Sequence, residues 1–140
     1  MDNAGDRTFV MIKPDGVARG LVGNIVSRIE ATGLRVEQMR LEQLSREIVE
    51  RNYAEHKGKE FFDGVVSYVT SGPVVLMVVT GTGAVAIMRK LMGATNPADA
   101  SPGTIRGDFA LDISANIIHG SDSPESASRE IALFFGGRDV

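Results

Sequence analysis

The spacing of apolar residues alternates along the chain between the period of a strand and the period of a helix. Residues 7–12, which end in four apolar side chains shortly before a Pro-Asp-Gly turn sequence, predict a strand. Residues 21–32 carry apolar side chains at helical spacing, whereas residues 34–44 alternate and predict a strand with room for a β-bulge. Residues 74–79 are apolar throughout, which indicates a central strand of a sheet.

The rest of the chain predicts four helices, one short strand and a long loop. Two helix starts carry capping residues, because Ser45 precedes one helical pattern and Ser123 precedes a proline and an acid at the start of another. The predicted helices cover residues 45–57, 61–70, 84–92 and 123–135, the strand covers 115–119, and the loop covers 93–107. A loop of that length in a compact domain is usually functional or disordered.

The order of these elements points to a fold class. Without the extra pair of helices before the central strand, the core order is β-α-β-β-α-β, which is the ferredoxin-like arrangement. The predicted fold is therefore α+β: a four-stranded antiparallel sheet with helices on its face, an extra helical hairpin and a long loop before the last strand. Such a fold hosts many functions, so function has to be argued from the site.

Composition limits the classes of function. The 140 residues, 43% of them hydrophobic, fit one domain over residues 1–140 with a core that needs no disulfide. The chain has no cysteine, which excludes disulfides, thiolate catalysis and cysteine metal ligands. A net charge of −3 with scattered basic residues argues against a nucleic-acid partner. No apolar run approaches the ~18 residues that span a bilayer, and the first ten residues do not resemble a signal peptide, so we expect a cytoplasmic protein without a membrane partner.

One glycine-rich segment resembles part of a dinucleotide-binding fingerprint. Gly81-Thr82-Gly83-Ala84 follows a predicted strand and opens a helix, but the acidic residue at the end of a second parallel strand is missing. A plain strand-to-helix turn is the better interpretation. The P-loop pattern G-x-x-x-x-G-K-[ST] is also absent, so any nucleotide must be held in another way.

Several polar residues lie where a phosphate could be bound. Lys13 ends the first strand, Arg106 lies between Thr and Gly at the end of the long loop, and Arg89 and Thr95 bracket the start of that loop. Together they would suit a polyphosphate, because guanidinium and backbone N–H groups bind phosphate oxygens. A solvated surface position remains the alternative for each residue, since spacing alone does not bring them together.

The two histidines lie in different surroundings. His56 is in charged company on a predicted helix, and we interpret it as a surface residue. His119 ends an apolar strand, Gly120 would let a ligand approach closely, and Glu130 on the next helix can fold back. An imidazole with one nitrogen tied to a carboxylate keeps its other nitrogen free for attack. A catalytic role and a structural role at a strand end therefore both stay open for His119.

The aromatic residues add a possible stacking surface. Tyr53 and Phe61 lie near the start and end of the predicted helical hairpin. An exposed phenylalanine can stack on a base without reading its identity. Core packing is the alternative, and Phe62 is better suited to it than Phe61.

Five segments together closely resemble nucleoside diphosphate kinase. They are RTFVMIKPDG at residues 7–16, RGL at 19–21, TSGPVV at 70–75, GATNPADASPGTIRGDF at 93–109 and NIIHGSDSPES at 116–126. TIRGDF and NIIHGSDSPES are the most specific of these motifs. The resemblance implies an enzyme that moves the γ-phosphoryl group of a nucleoside triphosphate to a nucleoside diphosphate. It also implies a ping-pong mechanism through a phosphohistidine, with Mg²⁺ as cofactor on the nucleotide phosphates.

The resemblance assigns a role to each candidate residue. For the chemistry, it implies His119 as the phosphorylated nucleophile, with Glu130 and Ser121 orienting it. For the nucleotide phosphates, it implies Lys13, Arg106 and Thr95, supported by Arg89. It implies that Asn116 and Lys13 contact the ribose 3′-hydroxyl. It also implies that Phe61 stacks on the base and that Tyr53 lines the site near Lys13. Stacking is tolerant of base identity, so the resemblance predicts broad use of nucleoside triphosphates and diphosphates, deoxynucleotides included.

The chain departs from the common family pattern at a few positions. Glu60 replaces a usual proline before the two phenylalanines, and Thr80 replaces a usual glutamate after the central strand. The sequence ends in GGRDV, whereas family members often carry a longer C-terminal segment at subunit contacts. The resemblance predicts a homo-oligomer, a hexamer before a tetramer or dimer. The rival hypothesis is a non-catalytic ferredoxin-like module that binds nucleotides for regulation, and such a module would be expected to lose His119, Glu130 or Lys13.

Overall fold

The sheet confirms the predicted ferredoxin-like α+β fold. The computed structural model describes residues 3–136, so the first two residues and the tail at residues 137–140 lie outside the described residues. This part of the chain contains the strands β1 (Arg7–Ile12), β2 (Arg35–Glu42), β3 (Val74–Thr80) and β4 (Ile118–Gly120). Their order across the sheet is β2-β3-β1-β4, and each neighbouring pair is antiparallel.

The helices fall close to the predicted segments. Over residues 3–136 they are α1 (Pro14–Ala18), α2 (Val22–Ala31), α3 (Arg46–Asn52), α4 (Phe62–Val69), α5 (Ala84–Met92), α6 (Ile105–Phe109) and α7 (Pro124–Phe134). Short 3-10 helices lie at Ala54–His56 and Pro97–Asp99. Helix α3 therefore ends earlier than predicted, and the chain continues to the hairpin turn as a 3-10 turn.

Helices cover both faces of the sheet. Side chains alternate along β1, so Val10 and Ile12 face one side while Phe9 and Met11 face the other. The core helices α2 and α5 pack on the first side, as the ferredoxin-like arrangement requires. The hairpin formed by α3 and α4, together with α7, covers the second side. Because both faces are covered, β3 is buried over residues 74–79, which explains its continuous apolar sequence.

Strand β2 carries the predicted irregularity. Its pairing with β3 shifts register between Val36 and Gln38, as expected of a bulge. The strand lies at the edge of the sheet, and Met39 and Leu41 on it are exposed. Exposed and half-buried residues alternate along β2, and after the bulge the exposed positions include these two apolar residues.

The predicted turn after β1 is instead a short helix. Pro14 occupies the first turn of α1, a position that proline's fixed φ favours, so the turn sequence continues as helix. Gly16 is buried there, and a Cβ at this position would lie 2.8 Å from Ile12 Cγ2 and 3.3 Å from the Ile117 carbonyl oxygen. The glycine therefore lets α1 approach the segment that leads into β4.

The predicted long loop contains local structure. Asn96 accepts a hydrogen bond from the Ala98 N–H at the start of the 3-10 turn. Thr104 caps α6 by accepting a hydrogen bond from the Gly107 N–H at 3.0 Å. The loop thus ends in a helix that fixes Arg106 beside the sheet.

The glycine pair before α5 is a strand-to-helix turn, as interpreted from the sequence. Gly83 adopts a left-handed φ of 72°, and its N–H donates to Asp6 Oδ1 at 3.0 Å. The sheet around it is antiparallel, so the parallel pair that a dinucleotide fingerprint requires is not formed. Over the described residues no helix is long and apolar enough to cross a membrane.

Candidate active site

A cavity of about 660 Å³ brings together most of the residues singled out from the sequence. The predicted site residues that line it are Lys13, Tyr53, Phe61, Arg89, Thr95, Arg106, Asn116, His119 and Glu130. Ser121 lies behind this wall and is joined to it by a hydrogen bond to Glu130. The residues come from β1, β4, α5, α6, α7, the hairpin and the long loop, so the fold closes a site from distant parts of the chain.

His119 and Glu130 form a directly bonded pair. The distance from His119 Nε2 to Glu130 Oε2 is 2.8 Å. An ionised carboxylate can only accept, so Nε2 carries the proton, and Nδ1 keeps a lone pair without a hydrogen-bond partner among residues 3–136. The Glu130 side chain is 4% exposed and that of His119 is 23% exposed. The buried carboxylate therefore fixes the tautomer of a more accessible imidazole.

Ser121 acts on the histidine through Glu130. Its Oγ donates to Glu130 Oε1 at 2.6 Å, while the Phe9 N–H donates to the same Oγ at 3.2 Å. Burial opposes ionisation of Glu130, but the hydrogen bonds from His119 and Ser121 outweigh it and lower the Glu130 pKa. The carboxylate is thus ionised and held on both oxygens.

Local sequence explains how Glu130 returns to His119. Ser123 accepts a hydrogen bond from the Ser126 N–H, and Pro124 follows at the first helical position, so α7 starts immediately after β4. Gly120 lines the cavity, as expected, and also has a packing role. A Cβ there would lie 2.4 Å from Met92 Cε, so the glycine makes room for a core methionine.

Lys13 is fixed by the segment before β4. Its Nζ donates to Asn116 Oδ1 at 2.8 Å, and Asn116 Nδ2 donates to the Thr95 carbonyl oxygen at 3.0 Å. Burial lowers the Lys13 pKa to about 8, with help from the charge of Arg106 and against the opposing charge of Asp15. The Lys13 ammonium lies 6.0 Å from the centre of the Tyr68 ring, and Tyr53 lines the same cavity as Lys13.

Arg106 is a buried guanidinium anchored to two backbone carbonyls. Nη1 donates to the Gly93 oxygen at 2.9 Å and Nη2 donates to the Ile118 oxygen at 2.6 Å. Its Nε is buried without a hydrogen-bond partner in the described part of the chain. Burial, then the charge of Arg89, lowers the Arg106 pKa to about 10. A buried cation with an unused donor is suited to an incoming anion.

Arg89 and Thr95 lie at the open side of the cavity. Both are exposed, in contrast to Arg106. The charge of Arg89 acts on Arg106 and also contributes to the lowered pKa of Asp122, after hydrogen bonds from Ser126 and Ser123. The cavity therefore carries the buried guanidinium of Arg106 beside the accessible one of Arg89.

The hairpin supplies the aromatic wall. Phe61 is 51% exposed, while its neighbour Phe62 is buried, as expected. Burial, then the charge of Glu130, raises the pKa of Tyr53 to about 12, so its hydroxyl remains protonated. His56, interpreted as a surface residue, is 32% exposed, and the hairpin turn brings its ring 5.3 Å from that of Phe61 and into the cavity wall.

Several residues that line the cavity were missed by the sequence analysis. Ile113 is an exposed apolar side chain at the cavity, and its isolation between polar neighbours was the available indication. Asn52, Asp122 and Arg129 also line the cavity. Arg129 Nη1 donates to Asn52 Oδ1 at 3.2 Å, and Nη2 lies 3.7 Å from Glu130 Oε2, contacts that spacing does not predict.

Comparison with known proteins identifies the family. The family profile described as Nucleoside diphosphate kinase matches residues 6–140. The chain belongs to the nucleoside diphosphate kinase family. A relative of that name from Thermus thermophilus is 62% identical over 130 residues, covering 93% of this chain and 95% of that protein. One from Archaeoglobus fulgidus is 56% identical over 135 residues, covering 96% and 89%.

The solved structures agree with this family. The structure of a halophilic nucleoside diphosphate kinase from Halobacterium salinarum in complex with CDP has a TM-score of 0.92 and 51% identity, covering 96% of this chain and 90% of that one. The chain is therefore an enzyme, a nucleoside diphosphate kinase that transfers a phosphoryl group between nucleotides. The non-catalytic binding module is not favoured.

Proposed function

We propose that His119 carries the phosphoryl group between the two nucleotides. The observation that supports this most directly is the bond from Nε2 to Glu130, because it leaves Nδ1 as the nucleophilic nitrogen in a cavity rich in cations. Glu130 also offsets the positive charge that builds on the imidazole during attack. Ser121 keeps Glu130 in place from the buried side.

The reaction divides into two half-reactions. His119 Nδ1 attacks the γ-phosphorus of a nucleoside triphosphate, the bond to the bridging oxygen breaks, and the nucleoside diphosphate leaves with that oxygen. A terminal β-phosphate oxygen of a second nucleoside diphosphate then attacks the phosphorus, and the P–N bond breaks. Nε2 keeps its proton throughout, so the pair with Glu130 is restored without exchange of protons.

The phosphates would be bound by the cationic residues of the cavity. The guanidinium of Arg106 and the ammonium of Lys13 would stabilise the transferring group, and phosphoryl transfer depends mainly on such placement of charge. Arg89 and Thr95, both exposed, would bind the phosphates from the open side. The bonded pair of Lys13 and Asn116 would contact the ribose 3′-hydroxyl.

The base would stack on Phe61. Phe61 and Ile113 are both exposed apolar side chains on the same cavity, and Tyr53 lines its inner wall. Stacking accepts any base, which supports broad use of ribonucleotides and deoxynucleotides. The Halobacterium salinarum relative was solved with CDP, so a pyrimidine nucleotide is compatible with a site of this family.

We expect Mg²⁺ to be bound by the nucleotide rather than by a dedicated protein site. Within residues 3–136 there is no group of three His, Cys, Asp or Glu residues that could hold a metal ion. The cavity is rich in cationic side chains, a composition that fits phosphates carrying their own metal. When bound, the ion would neutralise charge on the phosphate oxygens.

The remaining assignments follow from the family. We expect residues 1–140 to act as one kinase domain in the cytoplasm, with nucleoside triphosphates and diphosphates as its partners and no nucleic acid or membrane. A homo-oligomer is expected, a hexamer before a tetramer or dimer. Sedimentation of the purified chain distinguishes these assemblies.

Phosphohistidine formation tests the proposed mechanism. The protein is incubated with γ-labelled ATP, and the label on the chain is tested for stability in acid and alkali. We expect label that is acid-labile and alkali-stable in the wild type and absent in His119→Ala, with turnover reduced by about 10⁴-fold or more. His56→Ala is the control, since it removes the other histidine. An unlabelled wild type that still turns over, or full labelling of His119→Ala, would show that His119 is not the carrier.

A further inference from the structure

The residue between Asn116 and β4 has a strained backbone. Ile117 has a φ of 78°, which is rare for a β-branched residue, and it is fully buried. The Ile118 N–H donates to the Asn116 carbonyl oxygen at 2.8 Å, which closes a three-residue γ-turn of the strained, positive-φ kind. Strain of this kind persists only where the surroundings hold it in place, and it concentrates at functional sites.

Asp15 is the side chain that holds this turn. Its Oδ2 accepts a hydrogen bond from the Ile117 N–H at 3.1 Å, and its Oδ1 accepts one from the Tyr68 hydroxyl. The Lys13 N–H adds a bond to the Ile117 carbonyl oxygen at 2.7 Å. Asp15 therefore links α1 and α4 to the turn through both of its oxygens.

The two residues that flank Ile117 each hold a cation of the site. On one side, the Asn116 side chain binds the ammonium of Lys13 at 2.8 Å. On the other, the Ile118 carbonyl accepts from Arg106 Nη2 at 2.6 Å. A rotation of the turn would move both partners, so its conformation sets the spacing of the two cations.

We propose that Asp15 is a positioning residue for phosphoryl transfer: its carboxylate, held by Tyr68, fixes the turn at Ile117 and thereby places Lys13 and Arg106 relative to each other. The proposal rests on the phosphate-binding roles given to those two residues above. Asp15 is not among the residues that line the cavity, so it acts through them rather than on the nucleotide.

The charge of Asp15 gives the proposal a second, independent consequence. Burial and Arg106 lower the pKa of Lys13, and the Asp15 carboxylate opposes them. Without that carboxylate Lys13 would lose its proton at a lower pH. Two other titratable groups act on Lys13 at close range: Tyr68 from α4 lies 6.0 Å from its ammonium, and Arg106 from α6 lowers its pKa. The remaining charged or titratable groups line the same cavity and are Arg89, His119, Asp122, Arg129, Glu130, Tyr53, Glu55 and His56.

Three substitutions separate the hydrogen bonds of Asp15 from its charge. Asp15→Ala removes both hydrogen bonds and the charge. Asp15→Asn can keep both bonds, with its oxygen accepting from Ile117 and its amide donating to Tyr68, but it loses the charge. Tyr68→Phe removes one bond and keeps the charge. Asp6→Ala is the matched control. Asp6 also accepts a hydrogen bond from a backbone N–H, that of Gly83 at 3.0 Å, but it does not line the cavity.

The full-length enzyme is assayed for thermal stability, for single-turnover phosphohistidine formation and for kcat/KM across pH. Asp15→Ala should lower the rate of phosphohistidine formation about 10- to 100-fold, a loss typical of small misplacement of binding groups. Asp15→Asn should stay near the wild-type rate at pH 6.5 and move the alkaline limb of kcat/KM about one pH unit lower. Tyr68→Phe should slow phosphohistidine formation with the limb unmoved, and Asp6→Ala should lose stability alone.

The outcomes that overturn the proposal are specific. If Asp15→Ala keeps the wild-type single-turnover rate, or if Asp15→Asn, which can keep both bonds, slows it at pH 6.5 as much as Asp15→Ala does, Asp15 does not position the site through its hydrogen bonds. If Asp15→Ala does not fold, Asp15→Asn and Tyr68→Phe decide the question. Failure of the proposed mechanism is seen separately, because the wild type would then form no phosphohistidine.

Discussion

The two sides of the cavity are held in place in different ways. The phosphate side, proposed to bind the phosphates and consisting of Lys13, Arg106, Asn116, His119 and Glu130, is bonded to backbone and buried partners from distant parts of the chain. The base side is formed by Tyr53, His56, Phe61 and Ile113, and its ring contacts come from neighbours in the hairpin turn. The phosphate side is mostly buried, whereas Phe61 and Ile113 are exposed.

This difference matches the two tasks of the site. Transfer of a phosphoryl group needs charges fixed at one spacing, since stabilisation falls when donors must reorganise during the reaction. Binding of any base needs a flat apolar surface and no fixed donor, because a donor would favour some bases over others. We therefore expect substitutions on the phosphate side to cost much more activity than substitutions on the base side.

The largest effect should come from Arg106→Lys. A lysine cannot bridge the Gly93 and Ile118 carbonyls, so both the anchor and the unused Nε–H are lost while the charge is kept. We expect kcat to fall about 10²- to 10³-fold and thermal stability to drop. Arg89→Lys is the matched control, and because Arg89 is exposed we expect a loss of about tenfold or less.

Steady-state kinetics and thermal unfolding of the two variants measure this contrast. Equal losses in activity for Arg106→Lys and Arg89→Lys would show that charge, and not the buried anchoring, governs the phosphate side. The comparison between fixed and exposed groups would then fail.

An effect of intermediate size is expected in the dependence of kcat/KM on pH. Burial holds the Lys13 pKa at about 8, so the free enzyme loses this cation as pH rises through that value and kcat/KM should fall about tenfold per unit beyond it. Bound phosphates stabilise the ammonium, so the limb in kcat should lie at higher pH than the limb in kcat/KM. Profiles measured between pH 6 and 9.5 test this, and a limb at the same pH in both profiles would contradict it.

The lowered pKa of Lys13 also predicts how the free energy of unfolding changes with pH. The folded-state pKa of Lys13 lies below its ordinary value of 10.5, so between pH 8 and 10.5 the unfolded chain binds more protons than the folded one. This residue therefore contributes stability as pH rises through that window. Lys13→Met should remove the contribution, which is measured as the difference in free energy of unfolding between pH 7.5 and 9.5.

Local features of the fold were predictable from the sequence. Ser45 and Ser123 were expected at helix starts, and each accepts a hydrogen bond from an N–H three residues on. Helix α5 and strand β1 have the predicted bounds, because their periodicity is strong and glycine or proline ends them. Such features depend on residues close together in the chain.

The arrangement of the site depends on contacts that spacing does not specify. Lys13 and Asn116 are separated by 103 positions, and the two carbonyls that anchor Arg106 lie 13 and 12 positions away. The predicted strand at residues 115–119 begins only at Ile118, because the positive φ of Ile117 takes that residue out of the extended conformation of a strand. The motif resemblance named the residues, and the structure adds the bonds that hold them.

The smallest effect should come from Phe61→Ala on the base side. Loss of one stacking surface costs about 1–3 kcal/mol in comparable sites, so KM should rise about tenfold with kcat less affected. The rise should be similar for adenine, guanine, cytosine and uracil nucleotides, because stacking does not read the base. Phe61→Tyr keeps the ring and is the control. A loss confined to one base would mean that the hairpin reads base identity, and the base side would then need a fixed donor such as His56, whose ring already contacts Phe61.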